Sequence, residues 1–145
     1  MATVNVYLTF NGNTEEAFNF YKSVFGGEFT YMGRFKDMPA DENCPPPSEE
    51  EGNRIMHVSL PISKETILMA SDSTSFSGDV TFGNNFSVSI NTNSKEEADK
   101  LFNGLSANGT IIMPMEKTFW GAYFGMFTDK FGINWMVNFD EVPAS

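Results

Sequence analysis

The sequence contains the same order of predicted elements twice. Alternating apolar and polar residues predict a strand near the start of each half, at residues 4–10 and 86–90. Apolar residues at helical spacing follow each strand, and the segment TEEA at 14–17 corresponds to KEEA at 95–98. Three further strand-like segments follow each helix. This pattern indicates an internal duplication rather than a solenoid, which needs about three repeats or more.

The signals that start and stop the two helices are also similar. Thr14 is the predicted N-cap of the first helix, which is expected to end at Gly26-Gly27. In the second helix Ser94 is the predicted N-cap, Glu97 is placed to complete a capping box, and Gly109 ends the helix. The remaining strands are predicted near residues 28–36, 54–62, 66–71, 110–115, 120–128 and 133–139.

Two modules of this kind need each other to bury apolar surface. A single module leaves one face of its sheet bare, and 145 residues suit one compact domain or two very small ones. We therefore predict a first module at residues 1–72 and a second at 73–145, packed as a single compact unit. The predicted fold class is α+β.

Residues 37–53 interrupt the first module with an unusual composition. The segment contains four prolines and six acidic residues, so we expect a long, mobile surface loop. The three glutamates at 49–51 are typical of a solvated charge run. The role of the loop stays open, and it is the feature that would favour a scaffold or interaction module.

Charge and cysteine content limit the classes of partner. The net charge of −10 argues against nucleic acid or an anionic membrane, because both bind basic patches. The first ten residues indicate a strand rather than a signal peptide, and no segment approaches the roughly 18 apolar residues of a membrane helix. The one cysteine, Cys44, fits a reducing compartment and has no basic neighbour to make it a nucleophile. We predict a cytoplasmic protein.

Several short motifs occur in an order typical of one family. They are YLTFNG at 7–12, EAFNFYKSVFGG at 16–27, MHV at 56–58, LMASD at 68–72, FWGAYFG at 119–125 and DKFGINWM at 129–136. Together with the duplication, they resemble the vicinal-oxygen-chelate (glyoxalase/bleomycin-resistance/dioxygenase) superfamily. The closest resemblance is to its PhnB-like branch, often labelled demethylubiquinone-methyltransferase-like. The family usually has proline before Tyr7 and after Asp129, where this chain has Val6 and Lys130.

The resemblance implies a shape. It implies two βαβββ modules whose curved mixed sheets surround a cupped cavity, with the helices outside. It also implies a homodimer, since shared or swapped modules are common in the superfamily and a partner can cover exposed sheet edges.

The resemblance also implies where a metal would bind. Metal-dependent members place His, Gln or Glu on the first and last strands of each module, which suits divalent first-row metals. Those positions fall at Asn5 (or Val6 without a gap) and Asn85 on the first strands, and at Met69 and Met136 on the last strands. Amides and thioethers suit zinc, iron, nickel or manganese poorly, and the chain has a single histidine. We therefore predict no metal and no other cofactor.

Other side chains are candidates for a ligand site. By alternation, His57 shares a face with Ile55 and Ser59, where it is either an acid–base or hydrogen-bonding group or a structural histidine. Tyr7 shares a face with Asn5. The aromatic residues Trp120, Tyr123, Phe124 and Phe127 belong either to a pocket or to the core, with Trp120 favoured for a pocket because it precedes Gly121.

We predict metal-free binding of a small apolar or aromatic molecule. The predicted ligand-binding residues are Asn5, Tyr7, His57, Met69, Asn85, Trp120 and Met136. The alternative is a lyase, isomerase or dioxygenase-type enzyme that uses a metal or His57 as a base. Methyltransferase activity is not expected, because the sequence lacks a Walker pattern and a Gly-x-Gly-x-x-Gly segment after a strand.

Overall fold

The computed structural model describes residues 2–39, 47–75 and 77–141. The chain divides into two compact units, Met1–Thr81 (unit 1) and Phe82–Ser145 (unit 2). Each unit contains one four-stranded sheet and the βαβββ order, which confirms the predicted α+β class. Residues 40–46 of the predicted loop, including Cys44, lie outside the described residues. In the described ranges, no helix has the length and apolar character needed to cross a membrane.

Unit 1 begins with a strand and a helix. Its elements are β1 (Val6–Phe10), α1 (Thr14–Phe25), β2 (Tyr31–Arg34), a 3-10 turn (Phe35–Asp37), α2 (Glu49–Gly52), β3 (Ile55–Pro61) and β4 (Ile67–Asp72). The sheet order is β1-β4-β3-β2, with β1 parallel to β4 and the other pairs antiparallel. This order places the first and last strands of the unit side by side.

The core of unit 1 lies between α1 and one face of the sheet. Phe10, Phe18 and Tyr21 are fully buried, and the Phe18 ring meets those of Phe10 and Tyr21 edge-on at centroid distances of 6.5 and 5.4 Å. Full burial of such a side chain stabilises the fold by about 1.5–3 kcal/mol. The strands contribute alternate residues, namely Leu8, Val58, Leu60, Leu68 and Ala70. The residues between them therefore face away from α1.

The start of α1 differs from the prediction. Thr14 is the first helical residue and not the N-cap, and Asn13 at the cap position makes no side-chain hydrogen bond. Instead, Asp72 Oδ1 accepts from the backbone N–H groups of Gly12 and Thr14, both at 3.0 Å, and from the Thr14 hydroxyl at 2.6 Å. A carboxylate from the end of β4 thus satisfies orphan N–H groups at the positive end of the helix.

The prediction of a loop throughout residues 37–53 is wrong at both ends, because a 3-10 turn includes Asp37 and α2 forms at Glu49–Gly52. Ser48 caps α2 by accepting from the Glu51 N–H at 3.2 Å. The Glu51 carboxylate accepts from the Ser75 N–H at 2.7 Å, and this hydrogen bond lowers the pKa of Glu51. Glu51 is therefore more than part of a solvated charge run.

Residues 73–81, which the sequence pattern assigns to the second module, belong to unit 1. The Asn11 amide holds this segment: its Oδ1 accepts from the Val80 N–H at 2.8 Å, and its Nδ2 donates to the Val80 carbonyl at 3.2 Å. Arg54 adds a hydrogen bond to the Ser73 carbonyl at 2.8 Å. These contacts extend unit 1 nine residues beyond the end of β4.

Unit 2 repeats the arrangement. Its elements are β5 (Val88–Asn91), α3 (Lys95–Ser106), β6 (Thr110–Lys117), β7 (Ala122–Thr128) and β8 (Asn134–Asp140). The sheet order is β5-β8-β7-β6, with β5 parallel to β8. Phe102 of α3 packs edge-on against Phe127 at 5.1 Å, and Trp135 and Val137 complete the buried face.

The ends of α3 are partly as predicted. Ser94 is the N-cap, accepting from the Glu97 N–H at 3.0 Å, while the Glu97 carboxylate accepts from the Asn93 N–H. The helix ends at Ser106, and the left-handed residue after it is Asn108, with φ 62°, rather than Gly109. The expectation that Gly109 ends the helix is therefore wrong.

Candidate ligand-binding face

Four side chains form one row across the sheet of unit 1. Tyr7 pairs with Met69, Met69 with Ser59, and Ser59 with Tyr31. Directly paired residues share a face, with Cβ atoms about 4.5–5.5 Å apart. Leu8, which follows Tyr7, is buried on the α1 side, so the row lies on the opposite face.

His57 lies beside this row and contacts three of its members. Its Nδ1 is 3.3 Å from Tyr7 Oη and its Nε2 is 2.9 Å from Ser59 Oγ. The Tyr7 ring stacks on the imidazole at 5.7 Å, and the Tyr31 ring lies at 5.8 Å with a 40° tilt. Tyr7 and Tyr31 are 49% and 48% exposed. We call Tyr7, Tyr31, His57 and Ser59 the His57 cluster.

A glycine allows Tyr31 to join the cluster. Gly33 pairs with His57 across β2 and β3. A Cβ atom at Gly33 would collide with the Tyr31 hydroxyl, so the Tyr31 side chain extends along β2 over the bare glycine. The sequence analysis did not identify Tyr31 or Gly33, although the spacing Tyr-x-Gly in a strand is a signal of such a contact.

Tyr7, His57 and Ser59 form a chain of two hydrogen bonds whose direction depends on the tautomer of His57. With the proton on Nε2, His57 donates to Ser59 Oγ and accepts from the Tyr7 hydroxyl. In the other tautomer Ser59 donates to Nε2, and His57 donates from Nδ1 to Tyr7 Oη. Either arrangement leaves one terminal hydroxyl hydrogen, on Ser59 or on Tyr7, for a ligand.

The other predicted residues of unit 1 differ in position. Met69 is half-buried and lies between Tyr7 and Ser59 in the row. Asn5 directly precedes β1, and its Oδ1 accepts from the Ile67 N–H at 3.2 Å. The structure therefore brings Tyr7, His57 and Met69 together, whereas the Asn5 amide extends the hydrogen bonding between β1 and β4.

In unit 2 the predicted placement of Asn85 on the first strand is wrong. β5 begins at Val88, and the register pairs Val88 with Trp135 and Ser89 with Met136. An extension of this register to Asn85 would place it opposite Gly132, in the turn before β8, where there is no strand to pair with. Ser89 is the residue opposite Met136.

The aromatic residues of unit 2 divide between surface and core. Trp120 lies in the turn between β6 and β7, is 59% exposed, and has its ring 6.4 Å from that of Phe124. Phe127 is fully buried and belongs to the core. The Tyr123 hydroxyl donates to Asp99 at 2.6 Å, and this hydrogen bond raises the pKa of Tyr123 to about 12. Of the four, Trp120 and Phe124 are therefore the better placed to contact a ligand.

Metal-ligating side chains of the usual kinds do not cluster in the part of the chain that the structure describes. Within residues 2–39, 47–75 and 77–141, no group of three or more His, Cys, Asp or Glu residues could hold a metal ion. At the two last-strand positions named above, Met69 pairs with Tyr7 and Met136 pairs with Ser89. Phenol, hydroxyl and thioether groups are a poor set for zinc, iron, nickel or manganese.

Comparison with known proteins identifies the family. Residues 3–137 match the model of the glyoxalase/bleomycin resistance protein/dioxygenase superfamily. The chain belongs to this superfamily. It is 35% identical over 141 residues to protein YjdN of Escherichia coli K12, covering 91% of each chain.

Solved structures agree with this assignment. Protein PA1353 from Pseudomonas aeruginosa is 40% identical, with a TM-score of 0.84 over 97% of this chain and 98% of that one. A Bacillus cereus PhnB protein, described as a candidate 3-demethylubiquinone-9 3-methyltransferase, is 26% identical, with a TM-score of 0.73 over 95% and 99% of the two chains. YjdN and the PhnB protein support the PhnB-like branch of the superfamily.

Proposed function

We propose that the His57 cluster and Met69 bind a small, planar, partly aromatic molecule without a metal. The observation that carries this proposal is the pair of half-exposed tyrosine rings on either side of His57. Each aromatic contact contributes about 0.5–1.5 kcal/mol beyond its buried area. The terminal hydroxyl of the hydrogen-bonded chain orients the ligand, and the Met69 thioether adapts to its shape.

A fragment screen by saturation-transfer NMR tests this proposal. We expect planar aromatic compounds to bind the wild-type chain and to lose roughly tenfold in affinity in each of Tyr7→Leu and Tyr31→Leu, because each variant loses stacking on one of the two rings. Phe86→Leu is the matched control, since Phe86 is an aromatic residue of unit 2 that is 58% exposed. The proposal is wrong if no fragment binds, or if the tyrosine variants bind as tightly as the control.

Acid–base catalysis at His57 is a second candidate function, and the short Nε2 to Ser59 Oγ distance of 2.9 Å favours it. In this alternative, Ser59 Oγ takes a proton from a bound carbon acid while its own proton passes to His57 Nε2, so that His57 acts as the base through Ser59, as a lyase or isomerase requires. Exchange of deuterium from solvent into the bound fragments distinguishes the two functions. Exchange that disappears in His57→Gln supports catalysis, and binding without exchange supports a binding protein alone.

We further propose that the protein is a cytoplasmic homodimer that binds neither nucleic acid nor membranes. The single cysteine favours a reducing compartment, and the net charge of −10 disfavours anionic partners. Exposed isoleucines on the edge strand β6 favour a partner chain. Cell fractionation tests the compartment, and recovery in the membrane or secreted fraction would contradict it.

A further inference from the structure

Three methionines occupy adjacent strands in unit 2. Met113 on β6 pairs with Met126 on β7, and Met126 pairs with Met136 on β8. Phe127, Trp135 and Val137 are the neighbours of Met126 and Met136 along β7 and β8, and all three are buried on the α3 side. Met126 and Met136 therefore lie on the opposite face, and Met113 joins them through its pairing with Met126. A register shift between Met113 and Glu116 breaks the alternation, so that Met115 lies on the α3 side. We call them the methionine row.

The spacing allows the three sulfur atoms to approach one point. Paired residues on one face have Cβ atoms about 4.5–5.5 Å apart, and a methionine side chain has three rotatable bonds. Met126 is in the middle, so Met113 and Met136 can both turn toward it. Met113 is 43% exposed, and Met126 and Met136 are half-buried, so a small ion can enter from the β6 edge.

The chemistry around the row favours a soft, singly charged ion. Thioethers are uncharged, soft ligands that select Cu(I) over hard divalent ions. The next row along the sheet consists of Asn91, Asn138, Phe124 and Glu116, and Glu116 is its one charged member, at the exposed edge. Phe124 is two residues before Met126 on the same face, and aromatic rings attract cations.

We propose that the methionine row binds one Cu(I) ion through its three thioether sulfur atoms. The proposal concerns unit 2 and does not depend on ligand binding at the His57 cluster. Met115 provides a matched control on the same strand as Met113. Its Sδ lies 2.7 Å from where a Cβ of Gly125 would be, next to Phe102 of α3, and is therefore on the other side of the sheet.

Silver(I) is a suitable probe, because it has the same charge and softness as Cu(I) and does not change oxidation state. All variants carry Cys44→Ser, so that the thiol cannot bind the ion. In calorimetric titrations we expect one Ag(I) per chain. The methyl-¹³C resonances of Met113, Met126 and Met136 should shift on binding, and that of Met115 should not.

Substitution by leucine keeps the side-chain volume and removes the sulfur. Met126→Leu and Met136→Leu should each weaken Ag(I) binding roughly tenfold or more, while Met115→Leu should leave it unchanged. Circular dichroism checks folding, and Met113→Leu at the sheet edge gives the same comparison if a central variant does not fold. The extended X-ray absorption fine structure of the Cu(I) complex should show a first shell of sulfur only.

Three results would overturn the proposal. The first is the absence of stoichiometric Ag(I) binding to the Cys44→Ser chain. The second is unchanged affinity in the Met126, Met136 and Met113 variants. The third is an equal loss of affinity in Met115→Leu, because that residue lies on the other side of the sheet.

Discussion

Single buried aspartates organise the loops of both units. The Oδ1 atom of Asp72 accepts from the N–H groups of Gly12 and Thr14. Its Oδ2 atom accepts from the Ile55 N–H at 2.8 Å. Asp129 accepts from the Phe131 and Ile133 N–H groups at 2.8 and 3.0 Å, and from Trp135 Nε1 at 2.8 Å. Hydrogen bonds to a carboxylate are stronger than neutral ones, so each aspartate holds several segments in place.

We expect Asp72→Asn to lower the free energy of unfolding by about 3 kcal/mol, because the amide NH₂ would face N–H donors that the carboxylate now satisfies. Urea unfolding followed by circular dichroism measures the change. Asp79→Asn is the control, since Asp79 is exposed and its substitution should stay within about 0.5 kcal/mol. Equal effects in the two variants would show that Asp72 has no special role.

At the residue scale, the sequence predicted the candidate site in part. Alternation placed Ile55, His57 and Ser59 on one face, and the 2.9 Å contact between His57 and Ser59 confirms that part. The placement of Ile55 is wrong, because a register shift between β2 and β3 separates it from His57 and it is buried in the core. Tyr31 was missed because its contact with His57 depends on strand pairing and on the space above Gly33. Neither property is encoded in the periodicity of β2 itself.

At the scale of elements, the two long helices start in different ways. The Ser94 cap of α3 is local, three residues from the N–H group that it satisfies, and the sequence predicted it correctly. The cap of α1 comes from Asp72, 58 residues after Thr14, and no local sequence pattern predicts it. Capping is predictable only where donor and acceptor are close in sequence.

Gly109 has a role in packing rather than in helix termination. A Cβ there would collide with the Thr128 carbonyl oxygen and crowd the backbone of Asp129. We expect Gly109→Ala to destabilise the fold by about 1–3 kcal/mol, because no flexible side chain can move aside. Thermal unfolding measures this effect.

Gly83→Ala is the control for Gly109→Ala. A Cβ at Gly83 would have the Asn85 Oδ1 atom as its nearest neighbour, at an ordinary 3.6 Å. The melting temperature of the Gly83→Ala chain should stay near that of the wild type. A Gly109→Ala chain that melts with the control would contradict the packing role.

At the scale of the whole molecule, β6 is the least covered strand. It is an edge strand of eight residues, and Ile111 and Ile112 are 53% and 56% exposed. Pro114 in its middle cannot donate to a further strand, so side-chain packing is favoured over extension of the sheet. These exposed isoleucines are the reason to expect a partner chain there.

We expect the wild-type chain to sediment as a dimer and Ile112→Lys to sediment as a monomer, because a buried unpaired ammonium disfavours an apolar interface. Val4→Lys is the control, since Val4 is 97% exposed in unit 1. Analytical ultracentrifugation distinguishes the two species. A monomeric wild-type chain would disprove the homodimer. A dimeric Ile112→Lys chain would exclude β6 as the dimer interface.

The sequence by itself determined the duplicated βαβββ order and the α+β class, because those follow from local periodicity. Register shifts in the β2–β3 and β6–β7 pairs mean that periodicity alone did not fix the face of every side chain. The tertiary structure alone decided which side chains meet. Strand register joined Tyr7 to His57, 50 residues apart, aligned the methionine row, and left Asn85 outside β5. Register depends on where the partner strands begin and end, and that information is distributed over the whole unit rather than contained in any one segment.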